Sequence, residues 1–368
     1  YGDLLGDGSG TLCVNELSDF QYWRLPRLRA LKFGHHGGSG SGSLELTGSQ
    51  SISGGPDHLV VGATAPATLT QDSDDYHSRV EVDALVLGES LETLLREESI
   101  EAIIIATPHS QHYEQLMQCA AAGKHVYCEK PFTLSGAQAR EALSALAANR
   151  CKVAIGHNRR FAPNTLALQD LLSRGWFGRP VHIEGVFNAH MAGARGRWRD
   201  STMESPAGGM TSLGIHALDM MIHLMGPVAS LRASSRRIAA DCNFDDHTLV
   251  ELEFTNHAGG RLTTLTSTAM QWRITLYGTN GWAELQDQDT LILQPVEGAR
   301  ETMRYSGYEY PAMATLTAAL EAFAADIHGG PPFPVTPGQI AHATESLEAI
   351  FRSVAKGAPV QLRQPTNA

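Results

Sequence analysis

The segment "GKHVYCEKPF" (residues 123–132) ends an apolar strand on two charged residues, Glu129 and Lys130. Pro131 lacks a backbone N–H and restricts Lys130 to an extended conformation, so neither a strand ladder nor a helix continues through the pair. Open α/β sheets bind ligands at the carboxyl ends of their strands. A lysine held there can exchange a proton with an alcohol or carbonyl oxygen. From this segment alone, an exposed lysine in a turn is an equal alternative.

A second candidate site lies in "GGMTSLGIHALDMMIHLMG" (residues 208–226). On a helix, Ser212, His216, Asp219 and His223 are spaced so that they share one face. His216 with Asp219 three residues later is an imidazole that a carboxylate can orient for acid–base catalysis. The same face has metal-ligand types, but the chain offers no further ligand motif, so we predict no metal. A polar stripe satisfied by hydrogen bonds between domains is the other interpretation.

A third group of residues is basic and aromatic. "GHNRRFAP" (156–163) follows a strand end near the edge that carries Lys130, and "RGRWRD" (195–200) is a loop ahead of the second candidate site. Arginine and tryptophan side chains in such segments can hold a hydroxylated or carboxylated substrate. A solvated surface is the alternative. The predicted substrate-binding residues are Arg160, Trp198, Arg199 and Ser212.

The elements that position these residues differ between the two halves of the chain. Residues 95–155 alternate strand and helix, which predicts parallel strands with right-handed crossovers. Here Thr107 is predicted to cap a helix that Pro108 opens and Gly123 ends, and a second helix is predicted over 136–148. Beyond about residue 175, short alternating strands joined by Asn/Gly turns predict a largely antiparallel sheet, with helices near 211–225 and toward the C-terminus.

Alternation along "TLVELEF" (248–254) predicts which side of that sheet is covered. Val250, Leu252 and Phe254 point to one side, where we expect the helices of the domain. Leu249, Glu251 and Glu253 point to the other side, which is therefore mixed in polarity and does not by itself demand cover by a partner.

The first 60 residues are the least informative part of the chain. "HHGGSGSGS" (35–43) is either a flexible linker or a phosphate-binding loop after the strand-like "RALKFG". A strict G-x-G-x-x-G is missing, because Gly38 and Gly40 are followed by Ser43. "HLVVGATAP" is a candidate second strand, yet no Asp or Glu ends it to hold a ribose hydroxyl.

Composition excludes several classes of protein. The chain has 368 residues, 42% hydrophobic and 18% charged, as expected of a soluble globular protein. Its formal charge of −11 argues against nucleic-acid or anionic-membrane surfaces. No apolar run approaches the roughly 20 residues that span a bilayer. The five cysteines form no CxxC pair and no secretory signal is evident, so we predict isolated core thiols in the cytoplasm.

Taken together, these segments resemble the glucose–fructose oxidoreductase / inositol dehydrogenase / MocA (Gfo/Idh/MocA) family. The resemblance runs from about Leu91 to Leu362, about three-quarters of the chain. It is carried, in the family's order and spacing, by "ATPHSQHYEQ", "AGKHVYCEKPFTLS", "GHNRRFAP", "GGMTSLGIHALD", "YGTNGWAEL" and "GAPVQL".

The resemblance implies an α/β fold with an N-terminal Rossmann dinucleotide-binding domain and a C-terminal α/β domain with a large, mainly antiparallel open sheet. We expect an N-terminal extension of unknown role over 1–30, the Rossmann domain over 31–155, and a domain for substrate binding and oligomerisation over 156–368. A homodimer or homotetramer is the expected assembly.

The resemblance also implies roles for individual residues. Lys130 would be the catalytic lysine that works on the substrate oxygen, often with a cis bond to the following proline, and His216 the general acid/base, with Asp219 as its orienting partner. The residues expected to line NAD or NADP are Thr107, Pro108, His112, Glu129 and Lys130. Ser212 departs from the family pattern, which often has aspartate there, and the missing N-terminal fingerprint leaves NAD and NADP as alternatives.

Two functions follow. The first is an NAD(P)-dependent oxidoreductase that transfers a hydride between nicotinamide and a secondary alcohol or ketone of a sugar, polyol or hydroxylated ring. The second is a non-enzymatic regulator that senses a cofactor or a sugar on the same scaffold. The presence of both Lys130 and His216 favours the enzyme, whereas Ser212 and the altered phosphate loop favour the regulator.

Overall fold

The computed structural model describes residues 91–191, 195–305 and 311–362 and, ahead of them, short strands between residues 30 and 87. These early strands form two antiparallel sheets. In the order in which they pair, the first sheet contains β1 (Ala30–Gly34), β4 (His58–Gly62) and β7 (Val86–Leu87), and the second contains β3 (Gln50–Ser53), β2 (Ser43–Thr47), β5 (Ala67–Gln71) and β6 (Ser78–Val82).

This arrangement departs from the expected start of a dinucleotide-binding domain. The predicted second strand exists as β4, but it pairs antiparallel with β1. Successive strands of such a domain run parallel through a crossover, whereas here the intervening chain contains the antiparallel pair β2–β3. The candidate phosphate loop, 35–43, lies outside the described residues apart from Ser43.

The next part of the chain has the predicted parallel sheet. Its strands are β8 (Ala102–Ile105), β9 (His125–Cys128) and β10 (Val153–Ile155), paired in the order β10-β9-β8. All four residues of β8 are buried, as the unbroken apolar run "AIII" predicts for a parallel strand covered on both faces. The helices are α1 (Leu91–Arg96), α2 (His112–Ala121) and α3 (Gly136–Ala148).

The predicted helix limits are confirmed for α3 and corrected for α2. Helix α3 has the predicted bounds, 136–148. Helix α2 starts at His112, after a single 3-10 turn over His109–Gln111, because Pro108 is extended at φ −53° and ψ 144°. The chain after α2 reverses at Gly123, whose φ of +69° favours a residue without a side chain.

The described residues group into two compact units. The first holds those of residues 1–133, 138–156 and 317–337, and the second those of 134–137, 157–316 and 338–368. The predicted change of domain at 155/156 lies next to the observed one, but the predicted division has no return of the chain to the first unit. Residues 317–337, which return to the first unit, are held there by packing of Phe323 against Tyr127 and by the Lys152–Asp326 ion pair. Both contacts join residues that are far apart in sequence.

The second unit is built on one nine-stranded sheet. Strands β11 and β14 run parallel and the other neighbouring pairs are antiparallel, which confirms a mainly antiparallel sheet. In order across the sheet the strands are β18 (Glu301–Arg304), β17 (Thr290–Pro295), β16 (Gly281–Gln286), β15 (Ser267–Gly278), β11 (Pro180–His190), β14 (Gly259–Leu265), β13 (His247–Phe254), β12 (Val228–Arg236) and β19 (Val360–Gln361).

The helices of the second unit pack on one face of this sheet. They include α4 (Pro163–Ser173), α5 (Ile215–Met225) and α7 (Pro337–Lys356), while α6 (Pro311–Ile327) begins in the second unit and continues into the first. Val250, Leu252 and Phe254 are buried and Glu251 and Glu253 are exposed, which confirms the predicted alternation. Burial of each large apolar side chain is worth about 1.5–3 kcal/mol, so this face stabilises the unit.

The helix predicted near 211–225 is not uniform. Met210–Gly214 forms a π-helical turn, and α5 follows it. The turn lies close against β14, since a Cβ at Gly214 would lie 2.6 Å from the Thr264 hydroxyl oxygen. A π-helical turn holds more residues per turn than an α-helix does. Ser212 therefore does not lie where an α-helical spacing would place it relative to His216.

Two further properties concern the described chain as a whole. Among the residues that the structure describes, no helix is both long and apolar enough to cross a membrane. Four cysteines are described, and all are buried thiols: Cys119, Cys128, Cys151 and Cys242.

Candidate functional site

The strand-end region, defined as Thr107, Pro108, His112 and Glu129–Pro131, lies at the carboxyl edge of the parallel sheet. Strands β8 and β9 are neighbours and end at Ile105 and Cys128, so the residues that follow them meet at one edge. The Glu129 amide donates to the Ile105 carbonyl at 2.8 Å, which fixes the start of the second segment against the first.

Thr107 does not cap a helix, contrary to the prediction. Its hydroxyl donates to Oε1 of Gln115 at 2.6 Å, and both residues are buried. Because α2 begins only at His112, the Thr107 hydroxyl is used to tie the segment after β8 to the side of that helix.

His112 joins the two segments of the strand-end region. It is fully buried, with Nδ1 at 2.8 Å from the Pro131 carbonyl oxygen and Nε2 at 2.9 Å from that of Thr107. Both partners are acceptors, and an imidazole donates from both nitrogens only when it is protonated. The ring therefore ties together the backbone on either side of the edge, and its tautomer decides which nitrogen donates.

Glu129 and Lys130 are half-buried at this edge. The Lys130 amide donates to Oε2 of Glu129 at 3.2 Å. A Cβ at Gly156 would lie 2.7 Å from both carboxylate oxygens, so glycine at that position leaves room for the Glu129 side chain. The Lys130–Pro131 peptide is cis, as the resemblance implied.

The Asp219 cluster, defined as Asp219, Arg160, His157, His223 and Gln339, lies within the second unit. Arg160 donates from Nε to Oδ2 of Asp219 at 2.8 Å and from Nη2 to Oδ1 at 2.6 Å. The two side chains are only 3% and 2% exposed, so this is a buried, two-point ion pair. It joins a residue predicted to bind substrate to one predicted to orient the catalytic histidine.

The other edge of the Arg160 guanidinium is also engaged. Its Nη1 donates to Oε1 of Gln339 and to Nδ1 of His223, each at 3.2 Å. Burial and the neighbouring Arg160 lower the pKa of His223 to about 4, so this imidazole is a neutral acceptor. Burial alone would raise the pKa of Asp219, but Arg160, with His157 and His223, holds it below its ordinary value.

His216 lies close to this cluster through His157. The His157 and His216 ring centroids are 6.3 Å apart and the rings meet edge to face, while His157 Nε2 lies 3.6 Å from Oδ1 of Asp219. Both histidines are almost completely buried. The ring of Phe187 lies 5.9 Å from His216 and also carries the Arg159 guanidinium, at 4.5 Å from its centroid.

Sequence reasoning missed part of this arrangement. His157, Gln339 and Phe187 were not predicted as site residues. His157 was detectable in principle, since it lies two residues ahead of the arginine pair in "GHNRRFAP", after β10. Gln339, at 179 residues from its partner Arg160, had no signal in the sequence.

The remaining predicted substrate-binding residues lie on other segments of the second unit. Trp198 and Arg199 form a 3-10 turn in which the guanidinium lies 4.4 Å over the indole ring. Asp200 anchors that turn by accepting hydrogen bonds from the Gly196 and Asn243 amides. Ser212 lies in the π-helical turn, with its hydroxyl 3.7 Å from Sδ of Met191.

Within the side chains that the structure describes, no group of three or more His, Cys, Asp or Glu residues is arranged to hold a metal ion.

Two family models match this chain, and together they cover more than half of it. Residues 62–157 match the oxidoreductase family with an NAD-binding Rossmann fold, and residues 165–284 match the Gfo/Idh/MocA C-terminal domain. The chain therefore belongs to the Gfo/Idh/MocA family, as its motifs predicted. The Rossmann match also agrees with the predicted cofactor class, NAD or NADP.

Several named proteins are similar to this chain. The scyllo-inositol 2-dehydrogenase (NADP(+)) of Bacillus subtilis is 31% identical over 152 residues, 41% of this chain and 42% of that protein. The trans-1,2-dihydrobenzene-1,2-diol dehydrogenase of Bos taurus is 26% identical over 198 residues, 54% of this chain and 58% of that protein. The chain thus spans about half the length of the curated relatives it matches.

The fold is shared with solved structures. Levoglucosan dehydrogenase in complex with NADH and levoglucosan superposes with a TM-score of 0.68 at 20% identity, covering 75% of this chain and 84% of that one. A likeness at this identity shows the fold, with a Rossmann domain followed by a second α/β domain.

The strand-end region fits a nicotinamide dinucleotide. Its residues follow adjacent parallel strands at the sheet edge where such cofactors bind, and Gly156 keeps space beside the Glu129 carboxylate. Within the described residues, Thr107, Pro108, Glu129 and Lys130 are the ones that would hold the nicotinamide end.

Proposed function

We propose that this protein is an NAD(P)-dependent oxidoreductase that interconverts a secondary alcohol and a ketone on a sugar, polyol or hydroxylated ring. The observation that carries the proposal is the position of Lys130, directly after β9 at the carboxyl edge of the parallel sheet, in the domain that matches the NAD-binding model. Among the relatives, the names of an inositol dehydrogenase and a dihydrodiol dehydrogenase support this substrate class.

The bound nicotinamide would supply the hydride chemistry, and the protein would supply proton transfer and orientation. Lys130 exchanges the proton of the substrate hydroxyl, and the fixed backbone before Pro131 limits where its ammonium group can reach. His216 is the second acid/base, since an imidazole can accept a proton and return it. Asp219 acts on that imidazole from within the protein rather than on the substrate.

Glu129 and His112 have supporting roles in this proposal. Glu129 places a carboxylate beside the Lys130 backbone and accepts from its amide, which helps to fix the segment that carries the lysine. His112 holds the segments that carry Thr107 and Lys130 at a fixed spacing through its two carbonyl contacts. Both effects orient catalytic groups without contact with the substrate.

Cofactor binding is the first experiment, because it tests the proposal where the sequence is least informative. Thermal unfolding is measured with NAD⁺, NADH, NADP⁺ and NADPH. At 100-fold excess over Kd, the preferred cofactor is expected to stabilise the protein by about 2.7 kcal/mol. The absence of any shift with all four at millimolar concentration would overturn the proposal.

Turnover is the second experiment. Reduction of the preferred oxidised cofactor is followed at 340 nm with inositols, levoglucosan, aldoses and a cyclic trans-diol. We expect turnover with at least one of them, and its loss in Lys130→Met with cofactor binding intact. Cofactor binding without turnover across the whole panel would favour the non-enzymatic sensor instead.

We also propose a homodimer or homotetramer, on the basis of the family. The polar face of the large sheet carries a charge-paired group in which Arg273 lies 3.6 Å from Glu184 and 3.7 Å from Glu284, all only partly exposed. Such a face suits a polar contact between copies. Light scattering that gives a single monomer mass at micromolar concentration would contradict this.

A further inference from the structure

We propose that Arg160 and Asp219 are positioning residues whose buried ion pair controls the protonation of His157 and, through it, of the catalytic imidazole of His216. This inference deepens the proposed function, on which the role of His216 rests. Arg160 was predicted to bind substrate, and here it is assigned a role within the protein.

The hydrogen bonds of Arg160 show that its guanidinium is engaged inside the protein. A guanidinium has five N–H donors. Two of the hydrogen bonds of Arg160 go to the two oxygens of Asp219, one to Gln339 and one to His223. Four donors are thus used inside the second unit, on a side chain that is 3% exposed. The group is built to hold a carboxylate in place, and little of it remains to bind a ligand.

His157 lies close to the Arg160–Asp219 ion pair. Its Nε2 lies 3.6 Å from Oδ1 of Asp219, the oxygen that accepts from Arg160 Nη2. The imidazole therefore experiences a carboxylate and a guanidinium that oppose one another. Removal of either charge leaves the other uncompensated in a buried environment, where a charge interacts strongly with its neighbours.

The ring contact between His157 and His216 links the ion pair to the catalytic imidazole. Their rings meet edge to face with centroids 6.3 Å apart, so a change of charge on His157 acts on His216 at short range. Among the described residues, the charged and titratable groups that face the cluster include Asp219 and His223 from α5, Arg160 from the segment before α4, and Arg159, which stacks on Phe187 beside His216. Asp219 is the carboxylate in this set, which makes its compensation by Arg160 decisive.

Histidine titration in the full chain tests the proposal without cofactor or substrate. The Cε1–Hε1 signals are followed by NMR between pH 4 and 9 in the wild type, Arg160→Gln, Asp219→Asn and the double variant. Signals are assigned with His157→Gln and His216→Asn. The matched control is Arg174→Gln, because Arg174 makes an ion pair with Asp170 on an exposed helix surface.

The two single variants are expected to move the titration midpoints in opposite directions. Arg160→Gln leaves Asp219 uncompensated and raises the midpoints of His157 and His216 by about one pH unit. Asp219→Asn leaves Arg160 uncompensated and lowers them by a similar amount. The double variant returns them close to the wild-type values, and the control leaves them unchanged. Midpoints that stay constant, or that move in the same direction in both single variants, would overturn the proposal.

If a charge variant does not fold, the titration of His216 in His157→Gln tests the proposal instead. His157→Gln leaves the Arg160–Asp219 pair intact, and the His216 midpoint must still move when its neighbour is replaced. An unchanged His216 midpoint in His157→Gln overturns the coupling. Failure of the proposed function would appear separately, as absent cofactor binding or turnover with normal histidine titrations.

Discussion

The strand-end region and the Asp219 cluster use buried histidines in opposite ways. In the first, His112 lies between two backbone carbonyl oxygens and ties two segments of the main chain together. In the second, His223 faces an Nη1 donor of Arg160, which favours a ring that accepts. One histidine thus contacts acceptors of the main chain, and the other contacts a cationic side chain.

The two regions also differ in what holds them together. His112 bonds to the main chain, so its position follows from the backbone of the segments after β8 and after β9. The Asp219 cluster is held by side chains that bond to one another, and charge compensation decides its stability. We therefore expect substitutions in the strand-end region to act mainly through the chemistry of Lys130. Substitutions in the Asp219 cluster should act through electrostatics.

The largest expected effect is on turnover. Lys130→Met keeps the length of the side chain and removes its charge and its proton. We expect turnover to fall by about 10²–10⁴-fold with little change in cofactor affinity, as measured by steady-state kinetics and cofactor fluorescence. Lys152→Met is the control, since Lys152 makes a half-exposed ion pair with Asp326. Undiminished turnover in Lys130→Met would remove the mechanism.

The second effect is on stability. Arg160→Met leaves the Asp219 carboxylate buried without its partner, and loss of one member of a buried pair costs about 3–5 kcal/mol of unfolding free energy. Arg174→Met removes one member of an exposed pair and is expected to cost less than about 1 kcal/mol. Denaturant unfolding of both variants checks the comparison, and equal losses would contradict a special role for the buried pair.

The third effect concerns the neutral histidines. His342 Nε2 accepts from the Val228 amide at 2.9 Å, and burial lowers the pKa of His342 to about 4. The unfolded chain binds this proton near pH 6.5 and the folded chain only near pH 4, so stability falls as pH falls between these values. The loss is at most about 3 kcal/mol for this group.

His342→Gln is the variant that checks this pH dependence. Glutamine can still accept from Val228 but does not titrate, so unfolding free energy should depend less on pH between 6.5 and 4. The pKa of His223 is lowered to a similar value, so part of the slope remains in the variant. A slope as steep as that of the wild type would mean that His342 is not neutral in the folded protein.

The smallest effect is expected at His112. His112→Phe leaves the Thr107 and Pro131 carbonyls without the imidazole, at a cost of about 1–3 kcal/mol by denaturant unfolding. An unchanged unfolding free energy would mean that the two carbonyl contacts do not hold the segments together.

The sequence by itself determined the features that depend on local patterns. Helix α3 could be predicted to its bounds because its apolar spacing and flanking residues are contiguous. The buried face of β13 followed from alternation, and the cis Lys130–Pro131 segment followed from a motif specific to the family. Each of these is encoded within about a dozen residues.

Only the tertiary structure decided how the polar residues pair. Arg160 and Asp219 are 59 residues apart, and no periodicity distinguishes an arginine that binds a carboxylate in the core from one that faces a ligand. The π-helical turn before α5 lies close against β14, a contact between distant segments that a helical spacing does not reveal. Burial requires every charge to find a partner, and which partner is within reach depends on the packed fold.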